Sequence, residues 1–273
     1  MRNSKIRIVL SLIAVYLIWG STYLFNKVAV TELPPFFLAS IRFLTAGVIM
    51  IVAAALLKMK LSITKKQLLN TAIVSFFFLV YGNSVFVWAL QYVDSGFSSL
   101  IASVQPLFVL ILMRIVDHKP MQKKSIIGIF LGILGMYLLV SQQEYSSSEN
   151  SLLGIIVMLT CVLSWSYGSV FVAKATLPKN FFVSTGYQMI IGGVFQVIIS
   201  VSLQETWSSP LNWSPNVQLT MLLLIILGGI IAFTAFNYLL KVVSTEKVAT
   251  SAFVNPVIAL FMGWYFLEEY LTV

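Results

Sequence analysis

Only two charged side chains stand well inside the long apolar runs of this 273-residue chain, Lys27 and Arg42. A charge at the centre of a bilayer helix costs about 2.5–3.5 kcal/mol on insertion scales, so such residues usually pair with a partner or serve a function. Lys27 lies near the end of its run, where a long side chain can snorkel toward water. Arg42 is deeper, roughly 10 Å beyond Pro35 at about 1.5 Å of rise per residue. Two roles fit it: a structural partner for Glu32 or Asp94, or a positive group on a solute path. Its planar fork matches a carboxylate in a bidentate way. No Asp or Glu stands in the middle of any apolar run. A multidrug or cation exporter that works through a membrane carboxylate is therefore disfavoured, and amino acids or other carboxylate-bearing solutes suit the chemistry better.

Polar residues also recur at helical spacing within the apolar runs. Trp19, Tyr23 and Asn26 share one face, as do Tyr81, Ser84, Trp88 and Gln91, and again Thr234, Asn237 and Lys241. Gln105-Pro106 and Asn255-Pro256 each place an amide before a proline in mid-run. Proline removes a backbone donor and bends the helix, which membranes tolerate beside protein or water. These features predict a substrate path lined by Trp19, Tyr23, Asn26, Arg42, Tyr81, Trp88, Gln105, Trp165, Gln188, Asn237 and Asn255, with Pro106 and Pro256 as hinges. Any one of these residues taken alone suits helix–helix packing better; the set points to a wet path. Gly128, Gly132, Gly192, Gly193, Gly228 and Gly229 read as packing sites.

Other chemistries lack their parts. Cys161 is the only cysteine and His118 the only histidine, which leaves no disulfide framework, metal site or Ser-His triad. An intramembrane enzyme needs a nucleophile with a base, paired carboxylates or a metal cluster. None is legible, so no enzyme activity, metal or other cofactor is expected. A passive membrane scaffold remains as an alternative to transport.

The elements that must position these residues follow from composition. The chain is 59% hydrophobic and only 10% charged, with a mean hydropathy of +0.95. A soluble domain carries about 25% charged residues, so most of this surface must face lipid. The net charge of +8 sits in short clusters between apolar runs, without a basic stripe interleaved with aromatics, so no nucleic-acid partner is implied. The expected partners are the lipid bilayer and a small-molecule substrate, and a homodimer is compatible with the pattern. Spans of about 20 residues are predicted at 8–30, 35–57, 68–91, 95–116, 126–140, 152–173, 181–203, 219–242 and 248–267. Arg2, Lys5 and Arg7 before the first run resemble a signal peptide. The run continues to about Val30 without an evident cleavage site, so it reads as a membrane helix.

Charge placement sets orientation. With a cytoplasmic N-terminus, all but Lys27 and Arg42 of the 17 basic residues fall in cytoplasmic loops or at their edges. The opposite loops hold Glu32, Asp94, Glu144, Glu149, Glu205, Glu268 and Glu269 and no lysine or arginine. A multi-pass protein of the bacterial inner membrane is predicted.

The chain also matches itself. One constant shift lays Leu17, Trp19, Phe25 and Phe36 on Leu163, Trp165, Phe171 and Phe182, and Arg42 on Gln188. A second shift, longer by the length of an outer-loop insertion, lays Phe86, Leu90, Ala102 and Pro106 on Phe236, Leu240, Ala252 and Pro256. Two repeats of five helices, 1–144 and 152–273 joined by an external linker at 145–151, would be inverted relative to each other. That architecture commonly places a binding site near midplane between the halves.

Trp19-Gly20-Ser21, the segment from Pro35 to Arg42, Ala89-Leu90-Gln91-Tyr92, Pro106 and Pro256, and Glu269-Tyr270-Leu271-Thr272 together resemble the EamA family of the drug/metabolite transporter superfamily. The resemblance spans the whole chain. It implies an all-α fold of ten transmembrane helices in two inverted five-helix repeats, a central cavity, and export of amino acids or other small metabolites. Nine spans are predicted, so against the ten that the resemblance implies the second repeat lacks its last helix. Lys119, in Asp117-His118-Lys119-Pro120, stands where the first repeat would match Glu269.

Overall fold

The computed structural model describes residues 2–118 and 151–268, with isolated positions 127, 130, 131 and 134. The described residues form helices and connecting segments, without a strand. Among the described residues, eight helices are long and apolar enough to cross a membrane. In chain order they are α1 (Arg2–Ala29), α2 (Pro35–Leu56), α3 (Lys65–Ala89), α4 (Ser95–Val116), α5 (Ser151–Lys174), α6 (Phe181–Ser202), α7 (Pro215–Val242) and α8 (Thr245–Leu267). They match the predicted spans to within a few residues, apart from the span at 126–140. Of that span only positions 127, 130, 131 and 134 are described; Gly128, Gly132, residues 145–150 of the linker at 145–151 and the Glu269–Thr272 motif lie outside the described residues. This is a multi-pass membrane protein.

Helix starts follow local chemistry. α2 opens on Pro35, whose fixed φ suits the first turn and whose missing N–H is not needed there. α3 starts in a capping box: Gln67 N–H donates to Thr64 Oγ1 at 3.2 Å, and Thr64 N–H donates back to Gln67 Oε1 at 3.0 Å. Asn180 caps α6 through Phe182 and Val183 N–H. Ser214 caps α7, with Pro215 in its first turn.

Two spans depart from the α-helix where the sequence pattern assumes one. The middle of α3, Phe76–Val85, and the middle of α7, Leu224–Phe233, are wound as π-helix. Such wide turns leave carbonyls that need other donors. Gln196 Nε2 reaches Leu79 O and Ser84 Oγ, both at 2.8 Å, and Ser164 Oγ reaches Phe77 O at 2.9 Å. In α7, Trp19 Nε1 donates to Gly228 O at 3.3 Å.

The two proline sites differ from each other and from the prediction of two matched mid-helix kinks. α4 breaks at Ser103-Val104, between Ser95–Ala102 and Gln105–Asp117, so Pro106 stands in the first turn of a new helix. There it removes no helical hydrogen bond. Pro256 lies inside the helix Ser251–Leu267, which follows a short turn at Thr245–Ala249.

α2 lies along α6 at close range. A Cβ on Gly47 would meet Ile190 N at 2.9 Å, and one on Gly193 would meet Leu44 Cγ at 2.6 Å. Small residues let the two backbones approach, as membrane helix contacts require. α1 crosses α7 and α8, while α5 crosses α3 and α4. Where these helices meet, Trp19, Phe78, Trp165, Phe233 and Phe236 form one aromatic cluster with centroids 4.7–6.3 Å apart. Leu17, Val52, Ile198 and Phe261 stay exposed on the periphery, as a lipid-facing surface demands.

Lys27 Nζ donates to Leu90 O at 2.6 Å and Val93 O at 2.9 Å, just beyond the end of α3, where carbonyls lack helical partners. Lys241 does the same for α5, reaching Ala175 O at 2.9 Å. An ammonium at a helix C-terminus also meets the negative end of the helix dipole.

Candidate functional site

Arg42 is 3% exposed. Its Nη1 donates to Asn26 Oδ1 on α1 at 3.2 Å, and Cζ lies 4.6 Å from the centre of the Phe43 ring, a cation–π distance. Nε has no partner. The alternative that Arg42 pairs with Glu32 or Asp94 is overturned, because its hydrogen bond goes to a neutral amide. The Glu32 carboxylate points away, accepting from Ser214 N–H at 3.1 Å. Gly228 makes room for the guanidinium: a Cβ there would lie 3.1 Å from both Nη2 and Thr22 Cγ2. This glycine therefore faces Arg42 rather than serving only as a helix-packing site.

The guanidinium borders a cavity to which every described span except α6 contributes. Its volume is about 110 Å³, below the ~300–1,000 Å³ of drug-sized ligand sites, and it is partly open to the surroundings. Trp19 and Trp165 meet edge to face at 5.4 Å on one side, and Tyr23 meets Phe86 at 6.0 Å. Gln105 enters from the helix that restarts after the break in α4, and Asn255 from α8. With its amide nitrogen turned toward the carbonyls, Asn255 donates to Ser251 O at 3.1 Å and Tyr16 O at 3.0 Å. Among the described residues no carboxylate lines the cavity.

The cavity thus gathers Trp19, Tyr23, Asn26, Arg42, Gln105, Trp165 and Asn255 from the predicted path. The other four sit elsewhere. Tyr81 Oη is 3.1 Å from Thr160 Oγ1, and Trp88 packs on Tyr92 at 5.1 Å. Asn237 Nδ2 donates to Thr185 Oγ1 at 3.0 Å and Gln188 Oε1 at 3.1 Å, in a buried polar contact between α6 and α7.

A central cavity among membrane helices is shared by many transporter folds. The model of the EamA-like transporter family matches twice, over residues 6–141 and 152–273. The chain belongs to the EamA-like transporter family. An inner membrane transporter of Escherichia coli (strain K12), YedA, is 33% identical over 254 residues, which is 93% of this chain and 80% of that one. The transporter YoaV of Bacillus subtilis (strain 168) is 24% identical over 268 residues, 98% of this chain and 91% of its own. Both relatives are described as uncharacterized. A crystal structure at 16% identity superposes with a TM-score of 0.72 over 97% of this chain and 90% of its own, and so has the same fold.

In this EamA transporter the sequence pattern missed Thr22, Asn83 and Gly228, which all line the cavity. Asn83 was hidden by the assumed helical period. A π turn advances fewer degrees per residue than an α turn, so the face predicted for Tyr81, Ser84 and Trp88 drifts around α3 and Asn83 turns inward. The signal for Gly228 was the Gly228-Gly229 pair, whose two members differ. Gly229 faces Ala46 and Met189, whereas Gly228 faces Arg42.

Proposed function

We propose that this protein is a secondary transporter that exports small carboxylate-bearing solutes, amino acids among them, across the bacterial inner membrane by alternating access. The observation that carries this reading is the Arg42 guanidinium, buried beside a small central cavity and held by one neutral amide. A buried charge without a counter-charge is costly. A carboxylate entering the cavity would offset that cost with short, charge-assisted hydrogen bonds.

Alternating access draws support from correspondences between the two halves. The crossing of α1 with α7 and α8 has its counterpart in the crossing of α5 with α3 and α4. The third span of each half carries a ten-residue π segment, and the family model matches once in each half. Inverted repeats that rock about a shared site would produce these correspondences. The partition of basic residues supports a cytoplasmic N-terminus.

The test is efflux of labelled carboxylates from proteoliposomes, expressed per folded molecule. Arg42→Gln should lower efflux at least tenfold, and Arg42→Lys should lower it less, since lysine keeps the charge but not the fork. Wild-type specific activity in Arg42→Gln would end the claim.

A further inference from the structure

Three consecutive backbone carbonyls of the α5–α6 loop are each held by a side chain from another helix. Lys241 Nζ, near the end of α7, donates to Ala175 O at 2.9 Å. Asn70 Nδ2 and Gln67 Nε2, in the first two turns of α3, donate to Thr176 O at 3.0 Å and Leu177 O at 3.2 Å. α3 and α7 are the third spans of the two halves, so this short stretch of chain ties one half to the other. The Asn70 and Lys241 bonds stand at the surface, where water can take the place of either partner. Such bonds hold by a small margin and can be released, unlike the buried bond from Gln196 to Leu79 O.

The position of the cavity sets what this stretch closes. In α1 to α4 the cavity is lined only from the half of each helix away from the α1 N-terminus, by residues such as Tyr23, Arg42, Phe86 and Ala102. In α5, α7 and α8 the lining residues, among them Trp165, Gly228 and Asn255, stand near the middle. The other half of the bundle is filled. Val15, Met50, Val74, Val172, Leu239 and Val248 are each no more than 1% exposed and form one core with Phe78 and Phe236, on which Leu177 packs. Beside the loop, a second hollow of about 310 Å³ is lined by Asn70, Tyr167 and Thr176 among the described residues, so the loop has open space on one side.

We propose that residues 175–177 form a releasable strap that keeps the cavity shut on the side of the α1 N-terminus, and that this side opens when Gln67 and Asn70 let go of it. The inference rests on the alternating-access reading and adds the contacts that must break for it. The Gln67 and Asn70 bonds join the first half to the second, so rocking of the halves against each other must part them. The Lys241 bond lies within the second half and travels with it. On the proposed topology the strapped side faces the cytoplasm, from which an exported solute enters.

Thiol labelling tests this without any solute, so a failed strap and a failed carboxylate assay give different results. In a Cys161→Ser background, Leu240→Cys reports on the filled end, where Leu240 is 2% exposed, and Leu38→Cys on the opposite end, where Leu38 is fully buried. Each is labelled with an impermeant maleimide in membrane vesicles of both orientations, with and without the pair Gln67→Leu and Asn70→Leu. The pair should speed labelling at Leu240→Cys about tenfold, the effect of two modest hydrogen bonds. The gain should come only from the side of the α1 N-terminus, and Leu38→Cys should not change. Tyr187→Phe is the control. Tyr187 Oη donates to Leu61 O at 2.8 Å, at the same end of the bundle but away from the strap, so its loss should alter neither rate. An unchanged rate at Leu240→Cys would overturn the strap. So would equal acceleration at Leu240→Cys and Leu38→Cys, the mark of general loosening, or the same acceleration in Tyr187→Phe.

Discussion

Glu205, in the loop between α6 and α7, lies on the N-terminus of α2, where its Oε2 accepts from Phe37 N–H at 2.7 Å and its Oε1 from Phe36 N–H at 3.1 Å. The first N–H groups of a helix have no partners within it. A carboxylate that takes two of them also meets the positive end of the helix dipole. Glu32, between α1 and α2, returns the contact by accepting from Ser214 N–H, at the start of α7. Two loops distant in sequence are thus cross-stapled, with Trp207 and Trp213 packed on Phe37 beneath them at 5.1 and 6.2 Å.

Glu205→Gln should therefore lower stability by about 1 kcal/mol, the usual scale for a carboxylate at a helix N-terminus, read as thermal unfolding in detergent. An unchanged melting temperature would mean that the loop is held by Trp207 and Trp213 alone. The Ser214 contacts hold the Glu32 carboxyl below its usual range. A lowered value means that its contribution is present at neutral pH and fades as pH falls through that value. Glu32→Gln should remove this part of the acid sensitivity.

The bracing of the π segment in α3 is a second target. Gln196 and Ser84 both donate to Leu79 O, at 2.8 and 2.9 Å, and Gln196 also bonds Ser84. Gln196→Leu or Ser84→Ala alone leaves Leu79 O with one donor and should cost about 1 kcal/mol. The double variant orphans a buried carbonyl and should cost more than the two singles together by about 1 kcal/mol or more. Strict additivity in chemical or thermal unfolding would refute the shared-acceptor account.

The prolines should behave unequally. Pro106→Ala changes a first-turn position and should leave stability within about 0.5 kcal/mol of wild type. Pro256→Ala supplies an N–H that can reach the Ala252 carbonyl, so it should raise the melting temperature and slow efflux if α8 must bend. Equal effects at both sites would contradict the difference seen between α4 and α8.

Orientation is tested with single cysteines. Leu211 in the α6–α7 loop is 89% exposed, and Lys65 opens α3. With the N-terminus cytoplasmic, Leu211→Cys should react with an impermeant thiol reagent from outside intact cells, and Lys65→Cys should react only after lysis. The reverse pattern would invert the topology.

Much of this architecture was legible in the sequence, because hydrocarbon imposes simple rules. A run of about 20 apolar residues must wind as a helix to satisfy its backbone. Hence the eight described spans fall where the apolar runs predict them. Trp19, Tyr23 and Asn26 were legible too, since α1 is a regular helix and the α period holds along it. Where the backbone departs from that period the prediction failed, as Tyr81 and Trp88 show against Asn83.

The sequence by itself determined the membrane class, the spans and the family, all of which follow from composition, local periodicity and short motifs. Only the tertiary structure decided what the isolated charges and amides do. Lys27 and Lys241 look alike to Arg42 in a hydropathy profile, yet they cap neighbouring helices while Arg42 faces a cavity beside Gly228. Gln188 and Asn237 bond to each other, while Gln105 and Asn255 line the cavity. A polar group's role depends on which atoms come within about 3 Å. Those atoms belong to helices remote in sequence, so no local pattern in the chain encodes the choice.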